Sequence, residues 1–208
     1  MKRDFDKEAA LWDIPPRIKL AQDVATAIFR NIPLGQDTHV LDFGCGTGLL
    51  SLALRPKVGS VTGIDTSKGM LEIFNNKIIS SGISGVRTIL LDAEKETAIA
   101  GSYDLIVSNM ALHHVPDVIP LLKVFYGALS RGGHVALSDL DSEGGQFHSD
   151  PKGVFHNGFS RGDMEEMLRK AGFGEVKTCD AAELFRPGRD GVMRSFGIFL
   201  AVGRSAGG

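Results

Sequence analysis

Short apolar runs rich in β-branched residues recur along the chain, and between them the apolar positions fall at helical spacing. The runs are "HVLDF" (His39 to Phe43), "SVTGID" (Ser60 to Asp65), "VRTILLD" (Val86 to Asp92), "YDLIVSN" (Tyr103 to Asn109) and "HVALSDL" (His134 to Leu140). Continuous runs of this kind predict strands buried on both faces of a sheet. In "SKGMLEIFNNKIISSG", Ser67 is a candidate N-cap, Met70, Leu71, Phe74 and Ile78 form one apolar stripe, and Gly82 follows the last turn. "DVIPLLKVFYGALSRGG" predicts a second helix, closed by Gly132 and Gly133. Repeated strand–helix alternation implies right-handed crossovers and a parallel sheet covered on both faces.

Towards the C-terminus the rhythm changes. "SRGDMEEMLRKAGF" predicts a helix that starts at Ser160, with Asp163 three residues on, and stops at Gly172. Then "EVKTCDAAELF" and "SFGIFLAVGR" predict two strands joined by "RPGRDGVMR". A short link of this composition makes a hairpin, so the last strand is antiparallel to the rest. The expectation is an α/β fold: a Rossmann-like, seven-stranded, mostly parallel sheet with helices on both faces and an antiparallel last strand.

Composition narrows the class. The 208 residues suit one domain, residues 1–208, and with 43% hydrophobic and 23% charged residues the chain reads as an ordinary globular protein. A net charge of −2 gives no basic footprint, so no nucleic-acid partner is expected. No run is long enough to span a membrane, and the charged N-terminus is unlike a signal peptide. Cys45 and Cys179 are too few for a disulfide framework or a zinc cage. The expected setting is the cytoplasm, with no membrane partner and no metal.

The strongest local signal is "VLDFGCGTGLLSLAL", Val40 to Leu54, where three glycines separate a strand from a helix. A nucleoside-triphosphate loop would place Lys after Gly48, and none stands there. The dinucleotide fingerprint would need glycine or alanine where Leu49 stands. Open α/β sheets bind ligands at the carboxyl ends of their strands, which here carry Asp42, Asp65, Asp92, Asn109 and Asp139. Any one of these could simply cap the next helix; together they describe a ligand. Asp42, directly before the loop, opposes a pyrophosphate and favours positive charge. The start of the helix near Gly48 can hold a carboxylate, and Asp65 is placed to accept from a ribose diol. A ribose, a cation and a carboxylate without phosphates describe S-adenosylmethionine.

"VLDFGCGTG", "GIDTSKGML", "LLDAE", "YDLIVSNMALHHVPD" and "LSRGGHVALSDL" together resemble the class I S-adenosylmethionine-dependent methyltransferases, most closely the small-molecule group whose segment after the fourth strand reads "LHH". The likeness is strong from His39 to Leu140 and holds in outline elsewhere. It implies that Gly44, Cys45 and Gly46 pack against the methionine part of the cofactor and that Asp42 lies near its ammonium. Asp65 would hold the ribose hydroxyls, with Thr66 and Met70 beside the adenine. Asp92 would bond the adenine amino group and Ala93 a ring nitrogen, while Ser108 and Asn109 supply carbonyls near the reactive methyl. Residues 1–30 resemble an N-terminal helical lid, with Trp12 and Arg17 on the cofactor side; the plainer alternative is that Trp12 staples the first helix to the core.

The implied activity is in-line methyl transfer to a small-molecule acceptor, for which the enzyme aligns the partners and excludes water. His113 and His114 follow the fourth strand and are the candidate general bases, unless they merely order their loop. Residues 141–160 form a substrate-side loop whose Phe155 and His156 are assigned to the acceptor; His148 and His156 alone do not make a metal site. Some subgroups are disfavoured. Ser108 stands where the catechol type has an acidic metal ligand, and "SNMALHH" replaces the Asn/Asp-Pro-Pro-aromatic motif of nucleic-acid amino methylases. An arsenic methyltransferase would need more cysteines, and the "N-M-R-N" signature of a quinone C-methyltransferase is missing. Two rival classes remain: a non-catalytic protein binding S-adenosylmethionine or S-adenosylhomocysteine, and an NAD-dependent oxidoreductase. Monomer and homodimer are both compatible with the sequence.

Overall fold

A computed structural model of the chain describes residues 4–91 and 99–207. Seven strands form one sheet: β1 (His39–Phe43), β2 (Ser60–Asp65), β3 (Val86–Leu90), β4 (Tyr103–Asn109), β5 (Leu129–Leu140), β6 (Gly174–Pro187) and β7 (Met193–Arg204). Their spatial order is β3-β2-β1-β4-β5-β7-β6, parallel except for β7, which runs antiparallel to β5 and to β6. The expected α/β architecture with its antiparallel last strand is present.

Among the described residues six α-helices flank the sheet: α1 (Phe5–Glu8), α2 (Pro15–Asn31), α3 (Leu49–Leu54), α4 (Lys68–Ser80), α5 (Val118–Ala128) and α6 (Arg161–Ala171). On one face, Leu20, Val24 and Ile28 of α2 and Leu50 and Leu54 of α3 bury against Val40, Leu105, Val107 and Ala136. On the other, Leu122 and Phe125 of α5 and Met164 and Leu168 of α6 bury against Leu41, Ile106, Val135 and Leu137. β1, β4, β5 and β7 alternate between these two clusters, which is why their sequences read as unbroken apolar runs; β3, expected to be buried on both faces, lies at the sheet edge with Ile89 and Leu90 exposed. The caps read from the sequence are in place: Ser67 and Ser160 accept from the amides of Met70 and Asp163, and Gly172 ends α6 in the left-handed region.

Two boundaries differ from the sequence pattern. Helix α5 ends at Ala128, and "LSRGG" belongs to β5 rather than to the helix. Ser130 explains this: its Oγ donates to the Tyr103 carbonyl and to Asp104 Oδ1, which pulls the segment onto the start of β4. A Cβ on Gly133 would meet the Ser130 and Asp104 carbonyls at 2.9 and 3.1 Å, so this glycine serves a close strand approach and not a helix stop. β3 ends at Leu90, short of Asp92. No described helix is long and apolar enough to cross a membrane.

Candidate functional site

The chain winds outward from β1 to β3 and then returns to β4 on the other side of β1. This makes the carboxyl ends of β1 and β4 the topological switch point, the edge at which open α/β sheets hold ligands. The glycine loop lies there. Gly44, Gly46 and Gly48 all have positive φ, at 67°, 53° and 82°. Three such residues in five fold the loop back on β2, where the amides of Gly44 and Cys45 both donate to the Ile64 carbonyl, at 2.9 and 3.1 Å.

The three glycines face different surroundings. A Cβ on Gly48 would stand 2.2 Å from the Phe74 ring, and one on Gly44 would stand 2.6 Å from the Ala111 Cβ. Around Gly46 the nearest atoms, Met70 Sδ and Trp12 Nε1, are both 3.9 Å away. Gly44 and Gly48 are therefore fixed by protein packing, whereas Gly46 fronts an open cradle flanked by Met70 and Trp12.

Two carboxylates underlie the loop. Asp65 Oδ2 accepts from the Gly46 amide and Oδ1 from the Ser67 amide, both at 2.8 Å, so this side chain orders both turns while keeping acceptor capacity. Burial raises its carboxyl above the usual range, and the same backbone amides oppose the rise. Asp42 is 1% exposed, and Ser51 Oγ of α3 donates to it at 2.6 Å. Burial pushes Asp42 up to about 7, aided by the Asp65 charge and opposed by Ser51. Burial, with the charges of Asp42 and Asp65, also holds the Cys45 thiol well above its ordinary value. A buried carboxyl beneath the loop and a half-buried one beside the cradle favour a positively charged ligand over a phosphate.

The N-terminal segment closes over this loop. Asp6 Oδ1 accepts from Ser67 Oγ at 2.5 Å and from the Gly69 amide at 2.8 Å, which docks α1 on the start of α4. Asp13 accepts from Thr47 Oγ1 at 2.5 Å and pairs with Lys77, whose ammonium also donates to the Thr47 carbonyl at 2.8 Å. Between these anchors lies Trp12, edge-on to Phe5 and covered by the Arg17 guanidinium at 3.8 Å from its ring centre. Arg17 also donates to the Trp12 carbonyl.

Beyond β4, Met110 takes a positive φ of 56° and its amide donates to the Ser138 carbonyl, turning the chain sharply at the sheet edge. The turn delivers His113 and His114. His113 is 1% exposed; Asp139, from the end of β5, is wholly buried and accepts from both the His113 amide (3.2 Å) and Nδ1 (2.7 Å). His114 Nδ1 donates to the Gly153 carbonyl at 2.6 Å, and its ring meets Phe5 at 5.2 Å. His148, from the loop after β5, lies tilted against His113 at 4.8 Å between ring centres, so three imidazoles gather here. No group of three His, Cys, Asp or Glu among the described residues could hold a metal ion.

The structure thus brings together Trp12, Gly44, Cys45, Gly46, Asp65 and Met70 at the loop and His113 with His114 beside the N-terminal segment. Asp42 lies beneath the loop, against α3. Ser108 is buried with no hydrogen-bond partner for its Oγ, and Asn109 Oδ1 accepts from Ser138. Thr66 is exposed at the rim. Asp92 and Ala93 lie outside the described residues. His156 is committed within its loop: Nε2 donates to the Val115 carbonyl and the ring packs on Phe159. Phe155 is 57% exposed, and its amide donates to the His113 carbonyl. Sequence reasoning missed Asp6, Asp13, Thr47, Lys77 and the pairing of Asp139 with His113; the acid closing "HVALSDL" was the one available signal.

A family model described as "Methyltransferase domain" matches residues 17–178. An uncharacterized methyltransferase of Schizosaccharomyces pombe is 27% identical over 182 residues, 80% of this chain and 64% of that protein. The ubiquinone biosynthesis O-methyltransferase of Bordetella avium is 32% identical over 127 residues, 61% of this chain and 50% of that one. The chain therefore spans between half and two thirds of these relatives' lengths. Among solved structures, a Haemonchus contortus phosphoethanolamine N-methyltransferase in complex with S-adenosyl-L-methionine superposes with a TM-score of 0.72 at 16% identity, covering 98% of this chain and 60% of that one.

Proposed function

Because the chain belongs to the S-adenosylmethionine-dependent methyltransferases of class I, we propose that it moves a methyl group from that cofactor to a small-molecule acceptor, as a cytoplasmic monomer or homodimer. The observation that carries this reading is the open cradle at Gly46, whose amide is held by the half-buried Asp65 while the buried Asp42 lies beneath the loop. Those residues fit a cationic nucleoside without phosphates. When bound, the cofactor supplies a methyl group already activated on a sulfonium.

The chain's residues do the rest. Asp65 offers its remaining acceptor capacity to a ribose diol, with Met70 and Trp12 flanking the cradle. Asp42, buried beneath the loop, would favour a ligand ammonium through its charge, and Asp6 and Asp13 hold the N-terminal segment over the loop, so residues 4–14 are the part of the proposed lid that would cover the cofactor. Water exclusion and alignment of this kind are worth roughly 7–11 kcal/mol in favourable cases. His113 is the proposed general base. Donation of Nδ1–H to Asp139 leaves Nε2 as the lone-pair nitrogen, and Nε2 makes no hydrogen bond among the described residues. The small-molecule acceptor is supported by the names of relatives such as the ubiquinone biosynthesis O-methyltransferase.

Calorimetric titration with S-adenosylmethionine and S-adenosylhomocysteine, with NAD and ATP as controls, tests the reading. Binding of the sulfur nucleosides that is lost in Asp65→Ala is expected. Binding of NAD alone, or of nothing by folded protein, would overturn it.

A further inference from the structure

The last hairpin is longer than the sheet it joins. β5 ends at Leu140, opposite Ile198, yet β7 begins five residues earlier at Met193, and β6 pairs with that extension through Pro187. The paired ends of β6 and β7 therefore overhang the carboxyl edge of the sheet, the edge that carries the glycine loop and His113. The overhang is fastened to the loop of residues 141–160. Phe196 meets Phe147 edge-on at 5.2 Å, and the Arg189 amide donates to the Gln146 carbonyl at 2.7 Å.

From His113 a line of planar groups leads to this overhang. His113 lies tilted against His148 at 4.8 Å, His148 meets Phe147 edge-on at 4.9 Å, and the Arg186 guanidinium lies 4.7 Å from the Phe147 ring centre. The charges along it are unequal. Arg194 pairs with Asp190 and Arg161 with Asp141, but Arg186 and Arg189, both exposed, have no carboxylate partner among the described residues. A guanidinium stacked on an aromatic ring keeps its N–H edge free, and that edge matches a carboxylate or phosphate with two parallel hydrogen bonds.

We propose that the overhanging hairpin selects an anionic methyl acceptor: its reacting end lies on the side of His113, and its carboxylate or phosphate is held by Arg186 and aided by Arg189. This rests on the methyltransferase reading for the identity of the other ligand, and it makes Arg186 a specificity-determining residue. It does not touch the reacting atoms.

The test uses matched ligands on the full chain loaded with S-adenosylhomocysteine. 3,4-Dihydroxybenzoate is compared with 3,4-dihydroxybenzamide, and phenyl phosphate with phenol, by calorimetry and saturation-transfer NMR. At least one anion is expected to bind about tenfold or more tighter than its neutral mate, as charged hydrogen bonds allow. The better pair tells carboxylate from phosphate. The preference should collapse in Arg186→Gln, persist in part in Arg186→Lys, and be lost with Arg189→Gln added. Equal binding within both pairs, including no measurable binding by any of the four, would overturn the proposal, as would a preference that survives the double variant and so leaves the arginines as a cover for Phe147. If folded protein fails to take S-adenosylhomocysteine, the methyltransferase reading falls, while the same ligand pairs titrated without it still decide the anion preference.

Discussion

The imidazole of His113 is locked against the carboxylate of Asp139: Nδ1 donates at 2.7 Å, and the His113 backbone amide reaches the other oxygen at 3.2 Å. Asp139 also accepts from the Leu140 amide at 2.8 Å, so its own orientation is fixed by the end of β5. An acid held by backbone on one side and by a ring on the other dictates which ring nitrogen carries the proton. Asp139→Asn is expected to spoil this choice. Methyl transfer should fall by about two to four orders of magnitude, as when a positioned base is lost, with S-adenosylhomocysteine affinity within about threefold of wild type. Rates paired with calorimetry check it; an active Asp139→Asn enzyme would show that His113 serves only to order its loop.

The glycine loop makes a sharper prediction, because its residues differ in what surrounds them. Gly46→Ala places a methyl in open space and costs only the strain of a positive φ, about 1 kcal/mol. Gly48→Ala drives the same methyl into the Phe74 ring and should cost at least 1–3 kcal/mol beyond that strain. Gly46→Ala is thus expected to fold nearly as well as wild type while losing cofactor affinity. Gly48→Ala should be the less stable of the two by urea unfolding. If Gly46→Ala bound S-adenosylhomocysteine normally, the cradle would not be the cofactor site.

What could be read from the sequence follows the range of the forces involved. Strands and helices with one buried face announce themselves through local periodicity, and Ser67, Ser160 and Gly172 do so through caps that act within four residues. The glycine loop and Asp65 were legible for the same reason: a turn and a strand end are local objects. The helix stop assigned to Gly132 and Gly133 failed because Ser130 is drawn to Asp104, a partner from another strand. The same limit hid the partner of His113, 26 residues away, and that of Asp13, whose contact with Thr47 spans 34. Such pairs leave no periodic trace. His156, read as an acceptor contact, spends its Nε2 on the Val115 carbonyl, and nothing local in "VFHNGF" separates these two uses.

Acidity should govern both stability and binding through Asp42. Burial raises its carboxyl to about 7 in the fold, against about 3.9 in an unfolded chain. Between those values the folded protein holds a proton that the unfolded chain has released. Stability of the ligand-free protein should therefore decline as pH rises through that window, by at most about 4 kcal/mol from this group, and level off above it. Asp65, shifted in the same direction, adds to the slope. A cationic ligand favours the ionised carboxylate, so affinity for S-adenosylmethionine should grow as pH rises towards about 7 and binding should release protons. Urea unfolding at about pH 5 and about pH 8 measures the first effect, and calorimetry in buffers of different ionisation heat the second. Asp42→Asn should reduce both and leave only the smaller share of Asp65; an undiminished slope in this variant would move the titration to another group.

The clasp between Asp13, Thr47 and Lys77 bears on how the cofactor leaves. Asp13 belongs to the N-terminal segment, Thr47 to the glycine loop and Lys77 to α4, so three elements meet in one set of hydrogen bonds. The ion pair is about one quarter exposed on each side, so its loss should cost only about 1 kcal/mol of global stability. Opening the segment, however, requires breaking this clasp, the Asp6 contact with Ser67 and Gly69, and the modest packing of Ala9 and of Phe5 on His114, while Leu11 on its outer side is exposed. Asp13→Asn is therefore expected to raise the dissociation rate of S-adenosylhomocysteine several-fold, with a smaller change in association and a thermal midpoint lowered by only a few degrees. Stopped-flow Trp12 fluorescence follows the release directly, because Trp12 is the single tryptophan and lies within 3.9 Å of the Gly46 Cβ direction. An unchanged dissociation rate in both Asp13→Asn and Lys77→Met would show that the N-terminal segment does not gate the cofactor.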